Sequence, residues 1–398
     1  MPRRLLALGL AIAAALGVVL AGRIGWVAYG PEAGPGTSAA QVRFLRHALD
    51  TGGADRMQRL FPEGSFFLRA LTATAATAVP EPDLGRARAL RDSLDAPESV
   101  AVFGSGMVPE HGIFAAGWSL MVAVELARAS RAAEDAEGVR RRAVAVEGAL
   151  RGSPSGFLAG YPGQYWPCDT VVAAASLASA AVLLDRPDWL ATVRVWREEV
   201  AGPSGPVGPN LGLLPHRVDA SGAPLEGPRG SSQSIIQTFW PTIVSALGER
   251  PDERSWELFR AAFVVREGGL VGVREYPLGT TGAGDVDSGP LPLGVSLSAS
   301  AVTLAAARAN GDSGLAVELS REAELLGLPV SWAGTRRYAF GVVPVGDAFL
   351  AWARTRPLAD PGTATVEPTP RPRWPFYFGL CLLPAALLAA LALRRATR

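Results

Sequence analysis

The chain has 398 residues, 48% apolar and 19% charged, which is enough for a sizeable core and excludes general disorder. Its 38 basic residues, every one Arg, nearly balance 37 acidic ones, so a net charge of +1 leaves no basic face for broad nucleic-acid binding. Two cysteines (Cys168, Cys381) and three histidines (His47, His111, His216) exclude a disulfide framework and the usual zinc spacings, so neither metal nor cofactor is expected.

In chain order, Pro2-Arg3-Arg4 precedes an apolar run from Leu5 to Gly22, then Arg23 and a second apolar patch from Ile24 to Tyr29. A bilayer core needs roughly 20 apolar residues. Residues 1–30 therefore read as a transmembrane anchor, with Arg23 snorkelling near an interface. A cleavable signal segment stays open, because Val19-Leu20-Ala21 offers small residues for cleavage. Residues 30–37 form a brief tether.

Between 38 and 356 two kinds of helical segment alternate. One kind is rich in Ala, Ser and Gly and follows a long irregular loop: 66–79, 112–131, 168–184, 231–248, 292–310 and 345–356. The other carries Arg and Glu and follows a tight turn: 38–50, 84–96, 134–151, 187–201, 252–266 and 313–327. Small residues let helices approach closely in an inner ring, and charged helices suit a solvated outer ring. The expected fold is all-α, an (α/α)6 toroid of six helical hairpins. Residues 357–373, rich in Pro and Thr, form a semi-extended tether. Residues 374–394 read as a C-terminal transmembrane helix, with Trp374, Phe376, Tyr377 and Phe378 at one edge and Arg394-Arg395 at the other. Either reading of the N-terminus puts the domain outside the cytoplasm and makes the chain an integral membrane protein.

In such a ring the inner helices run the same way, so the loops before them share one face. The chemistry concentrates there. Gly160-Tyr161-Pro162-Gly163-Gln164-Tyr165-Trp166-Pro167-Cys168-Asp169-Thr170 is the densest stretch. Pro167 suits a first helical position. That sets Cys168 and Asp169 among free N–H groups, where a thiol is expected to ionise easily. Glu110-His111, His216-Arg217 with Asp219, Arg229, Glu275-Tyr276 and Asp285-Val286-Asp287 fill the other loops. Cys168 and His111 are the candidate proton carriers, with Asp285 or Asp287 orienting the His or binding a substrate hydroxyl. Tyr165, Trp166, Asp169, His216, Arg229, Glu275 and Tyr276 are the candidate substrate contacts. The simpler readings are a buried thiol, a solvated His216, loop-bracing aromatics and a salt bridge between loops. Asp219-Ala220-Ser221-Gly222 signals a turn, so 212–230 is expected to hold a short hairpin. A small-molecule or glycan ligand fits such a concave end. Nothing in the sequence sets an oligomeric state.

From His111 to Asp312 the chain resembles the linalool dehydratase/isomerase family. The resemblance is carried by His111-Gly112, Tyr165-Trp166-Pro167-Cys168 before an Ala-rich helix, and Asp219-Ala220-Ser221-Gly222-Ala223. Arg274-Glu275, Gly284-Asp285-Val286-Asp287-Ser288-Gly289 and Ala309-Asn310-Gly311-Asp312 follow in the same order. It implies an (α/α)6 barrel and cofactor-free acid/base chemistry that moves water onto or off a small alkenol, using a His, two Cys and an Asp. His111 and Cys168 match the His and one Cys. The second Cys falls near Ala159, so the thiol pair is broken, and Glu63 in Phe61-Pro62-Glu63-Gly64 is the candidate for the first-hairpin Asp. Six-hairpin toroids also host glycan hydrolases, for which Glu110, Asp169, Asp287 or Glu275 would supply the carboxylate pair. A non-catalytic binding module is the remaining alternative.

Overall fold

The computed structural model of the protein describes residues 2–29, 33–201, 212–249, 253–267, 269–359 and 375–396. The described chain is mostly helical. In order it runs α1 (Pro2–Tyr29), α2 (Pro35–Asp50), α3 (Gly53–Leu60), α4 (Gly64–Ala78), α5 (Leu84–Leu94), α6 (Pro97–Val100), α7 (Gly112–Ser130) and α8 (Ala133–Arg151). Then come α9 (Pro167–Leu183), α10 (Pro187–Ala201), α11 (Gly230–Ala246), α12 (Glu253–Phe263), α13 (Leu297–Ala309), α14 (Ser313–Leu326), α15 (Pro344–Thr355) and α16 (Pro375–Ala396).

All twelve alternating segments are helices within a few residues of their expected bounds. The small-residue helices touch one another in the order α4, α7, α9, α11, α13, α15 and back to α4. Side-chain size is what allows this approach. A Cβ on Gly117 of α7 would lie 2.9 Å from Ala173 Cβ of α9, closer than carbon atoms tolerate. Between these helices Phe67, Trp118, Phe239, Phe349 and Trp352 stack edge-to-face or offset, with centroids 5.0 to 6.4 Å apart. Such pairs each add about 1 kcal/mol beyond the area they bury.

Three small antiparallel sheets correct the all-α expectation. The expected helix 252–266 stops at Phe263, and β3 (Val264–Glu267) pairs with β4 (Leu270–Arg274). Val264 and Val265 are β-branched and suit a strand, and Gly269 supplies the positive φ of 87° for the turn. The expected helix 292–310 begins only at Leu297. Val295–Ser296 (β5) joins β4 first, and Ser296 then caps α13 by accepting from the Ala299 N–H. The expected hairpin is present as β1 (Arg217–Val218) and β2 (Pro224–Glu226), closed by Asp219 accepting from the Ser221 and Ala223 N–H groups. β6 (Val330–Trp332) and β7 (Thr335–Arg337) were not anticipated. Residues 30–32, 202–211 and 360–373, which include the start of the first expected tether and most of the second, lie outside the described residues, and Pro35–Thr37 of the first already belong to α2.

Two helices are long and apolar enough to cross a membrane, Leu5–Tyr29 and Gly112–Ser130. The second is 78% buried within the fold, against 17% for the first, so α7 is a core helix. Helix α1 packs antiparallel to α16. Gly17 sits against Ala385, while Ile24 and Ala28 meet Tyr377 and Cys381. Leu5, Leu16 and Val19 of α1 and Leu383, Leu387 and Leu393 of α16 are exposed.

Candidate functional site

A polar group stands before or just inside each of five small-residue helices. Glu63 precedes α4, His111 precedes α7, Cys168 and Asp169 open α9, Arg229 precedes α11, and Asp285 and Asp287 lie ahead of α13. Direct bonds tie these loops together. Tyr161 donates to Glu63, the Ile113 N–H to Ala159 O at 2.9 Å and the Val218 N–H to Tyr165 O at 3.1 Å. The Gly230 N–H donates to Glu275 O at 2.8 Å, and Arg229 Nη1 to Asp285 at 2.6 Å.

One cluster comprises Glu63, Tyr161, Cys168, Asp169 and Asp287. Asp169 is buried, and its carboxylate occupies the space left by the missing side chain of Gly160, where a Cβ would meet Oδ2 at 2.5 Å. Burial drives its carboxyl well above the ordinary range. The Cys168 thiol, 3.6 Å from Oδ1, lowers it, and the charges of Asp287 and Glu63 raise it further. Burial and the neighbouring carboxylates thus favour the protonated form of Asp169 over the ordinary carboxylate. Asp287 is exposed at the surface side of the cluster. Its carboxyl is raised by crowding from surrounding protein and then by Glu63 and Asp285, against the pull of Arg229. Tyr161 is raised by burial first and then by Glu63. One oxygen of Glu63, Oε2, is buried without a hydrogen-bond partner among the described residues.

The low-pKa expectation for Cys168 is corrected. Burial pushes the thiol up first, and Asp169 and Asp287 add to it. Two nearby carboxyls and desolvation outweigh the free N–H groups of a helix start. His111 also departs from expectation. It adopts a left-handed φ of 63°, and Nδ1–H donates to Gly104 O at 2.6 Å. No hydrogen bond among the described residues joins it to Cys168, Asp285 or Asp287.

The second cluster surrounds His216. It is 7% exposed and not the solvated residue of the simpler reading, and burial, then Arg229, lowers its pKa to about 4. Arg229 pairs with Glu226 and Asp285 and lies 5.2 Å from the Tyr276 ring centroid, so its expected role as a free substrate clamp gives way to a loop-joining ion pair. Asp285 accepts from the N–H groups of Asp287 and Ser288, which shapes the loop that presents Asp287. Glu275 is fully buried. It accepts from the Ser231 N–H and hydroxyl, and burial raises it to about 7. Tyr276 donates to Ala283 O, and Glu110 accepts from the Gly106 N–H, so both brace their own loops. Trp166 packs edge-on to Tyr161, 5.8 Å between centroids, and Tyr165 remains half-buried at the rim.

Glu63 was the faintest of the sequence candidates and sits at the centre of the first cluster. Its only signal was the resemblance, in which it stood for the first-hairpin Asp.

Two cavities lie away from these clusters. One of about 40 Å³ is lined by the C-terminal halves of α7, α9 and α11 and by Arg356. The other, of about 400 Å³, lies where α1 meets α14.

No family model matches the chain, and no curated protein does.

Proposed function

We propose that the protein is a membrane-anchored, extracytoplasmic enzyme on an (α/α)6 toroid, performing cofactor-free acid/base chemistry of the lyase or isomerase type on a small hydroxylated substrate. One observation carries this reading. Asp169, buried in the gap at Gly160 with its carboxyl raised by burial, stands in the electrostatic reach of Glu63 and Asp287, and each comes from a different loop ahead of a helix. An acid and a base held at one place are what water elimination requires. Asp169 gives its proton to the leaving hydroxyl as the C–O bond breaks. Glu63 takes a proton from the neighbouring carbon, the freed electron pair becomes the double bond, and water departs. Cys168, a neutral thiol, donates a hydrogen bond to the substrate oxygen. Asp287, Tyr165 and Trp166 line the approach.

The cyclic contact order of the small-residue helices supports the toroid. The motif order shared with the linalool dehydratase/isomerase family supports the reaction class. The apolar, outward-facing α1 and α16 support the anchor, and Arg3-Arg4 and Arg394-Arg395 at the end far from the domain favour cytoplasmic termini. A glycan-hydrolase reading rests on the same carboxyls, with Asp169 as acid and Asp287 as base, flanked by the aromatics Tyr161 and Trp166.

The test uses the purified full-length chain with short allylic alcohols in heavy-oxygen water. Oxygen exchange or alkene formation should appear, and Asp169→Asn and Glu63→Gln should each reduce it by about 10²- to 10⁴-fold with the helical spectrum unchanged. Turnover unaffected by both substitutions sinks the proposal. Release of new reducing ends from oligosaccharides instead selects the hydrolase, and binding without turnover selects the binding module.

A further inference from the structure

The cavity of about 400 Å³ between α1 and the domain has no part in the chemistry above. Arg23, Arg321 and Arg336 line it together with Glu324, Thr37 and Trp26. Arg23 Nη2 donates to the carbonyls of Glu324 and Leu325 at 2.7 and 3.1 Å, capping the end of α14. Arg321 Nη1 donates to the carbonyls of Val27 and Ala28, both at 2.7 Å, capping the end of α1. These backbone bonds hold the two guanidinium groups in place yet neutralise neither. Among the described residues neither has a carboxylate partner. Glu324, the one acid in the lining, is already shared by Arg336 and Arg354. Among the described residues, the cavity therefore carries fixed positive charge that no carboxylate compensates.

Its level is set by the sequence. The apolar stretch Leu5 to Gly22 ends at Arg23, and Trp26, 69% exposed, stands at the rim. On α16 Tyr377 lies opposite Ile24 and Ala28, at the same height. Arg and aromatic side chains at the end of an apolar span mark the headgroup layer. A positive cavity there faces phosphates on one side and water on the other.

We propose that this cavity binds the phosphate of an anionic membrane lipid, held between Arg23 and Arg321, with Trp26 against the glycerol and upper acyl region. Guanidinium groups suit phosphate because their N–H fork matches two of its oxygens. The inference rests on the membrane-anchored part of the proposed function and on none of its chemistry. It makes α1 a recognition element as well as an anchor.

The experiment reconstitutes the full-length chain in bilayers of phosphatidylcholine with a minor share of phosphatidylglycerol, then counts lipids retained after detergent exchange by native mass spectrometry. Phosphatidylglycerol should be enriched about tenfold or more over its share of the bilayer, and the enrichment should fall in high salt. Arg23→Gln with Arg321→Gln should abolish the enrichment, because Gln keeps a polar amide but carries no charge. Arg23→Lys should restore part of it, and Arg43→Gln, on an exposed surface, should leave it intact. Equal retention of both lipids, or enrichment that survives the double substitution, overturns the proposal. So does displacement by millimolar inorganic phosphate, which would make the ligand a soluble anion. Alkaline carbonate washing separates the two readings. Release of the chain defeats the membrane anchor itself, whereas a retained chain without lipid preference defeats only this inference.

Discussion

At Cys168, two physical effects that the sequence suggests point in opposite directions. Its place in the first turn of α9, after Pro167, favours a thiolate through free N–H groups and the helix dipole. Its neighbours Asp169 and Asp287, and its burial, favour the thiol, and they win because desolvation and like charge act at shorter range. Asp169 is one residue along and was legible; Asp287 is more than a hundred residues away, and only folding brings it near. The thiol should therefore alkylate with iodoacetamide only above about pH 8.5, measured on the chain with Cys381→Ser. A rate that plateaus by pH 7 would contradict this. His111 teaches a similar lesson. A His before an apolar helix reads as a proton carrier, yet its backbone turns left-handed and its ring donates to Gly104 O.

At the level of elements, the twelve helix positions were readable because small residues and charged residues alternate from one segment to the next. The errors fall at Val264–Glu267 and Val295–Ser296, where short β-branched stretches choose a strand only because a partner is available. Outer helices are joined by charge. Asp135 of α8 is fully enclosed and accepts from Arg88 and Arg91 of α5 at 2.6 to 3.2 Å. Burial alone would raise its carboxyl, but bonds from Arg88, Ser130 and Arg91 outweigh that and hold it at about 2. Asp135→Asn should cost about 1.5–3 kcal/mol, since Arg88 and Arg91 lose their enclosed acceptor and keep only the more exposed Glu134 and Asp92. Because this carboxyl is depressed in the fold, its stabilisation is present above about pH 4 and is lost as pH falls through 2. Urea melts of the variant and the parent check both points, and equal midpoints would show the cluster to be idle.

For the whole molecule, the buried carboxyls set the pH dependence of stability. Asp169 is raised, Glu275 and Asp347 to about 7 and Glu322 to about 8, each by burial before any other cause. Each holds its proton to higher pH in the fold than in the unfolded chain, which ionises it near pH 4. Unfolding then releases a proton, and stability falls by about 1.4 kcal/mol per pH unit for each such group until its folded pKa is passed. His216, lowered to about 4, works the other way between 4 and 6.5 and contributes nothing further above that. The carboxyls outnumber His216, so the melting temperature should drop from about pH 4.5 to about pH 7 and level off as Glu322 passes about 8. A melting temperature that is flat or rising over that interval would mean these carboxyls are ionised in the native state.

The sequence alone determined the helical class, the order of the segments, the two apolar ends and the loops in which chemistry gathers. Those properties depend on periodicity, side-chain size and local turn residues, which are written within ten or twenty positions of one another. Tertiary structure decided which groups share a dielectric environment. Glu63 bonded to Tyr161, Asp169 filling the gap at Gly160, Asp287 raising Cys168, and Arg23 and Arg321 capping each other's helices across about 300 positions are all contacts between distant parts of the chain. Burial and charge act through space, so the protonation of this site and the charge of the cavity beside α1 arise only once the helices have packed.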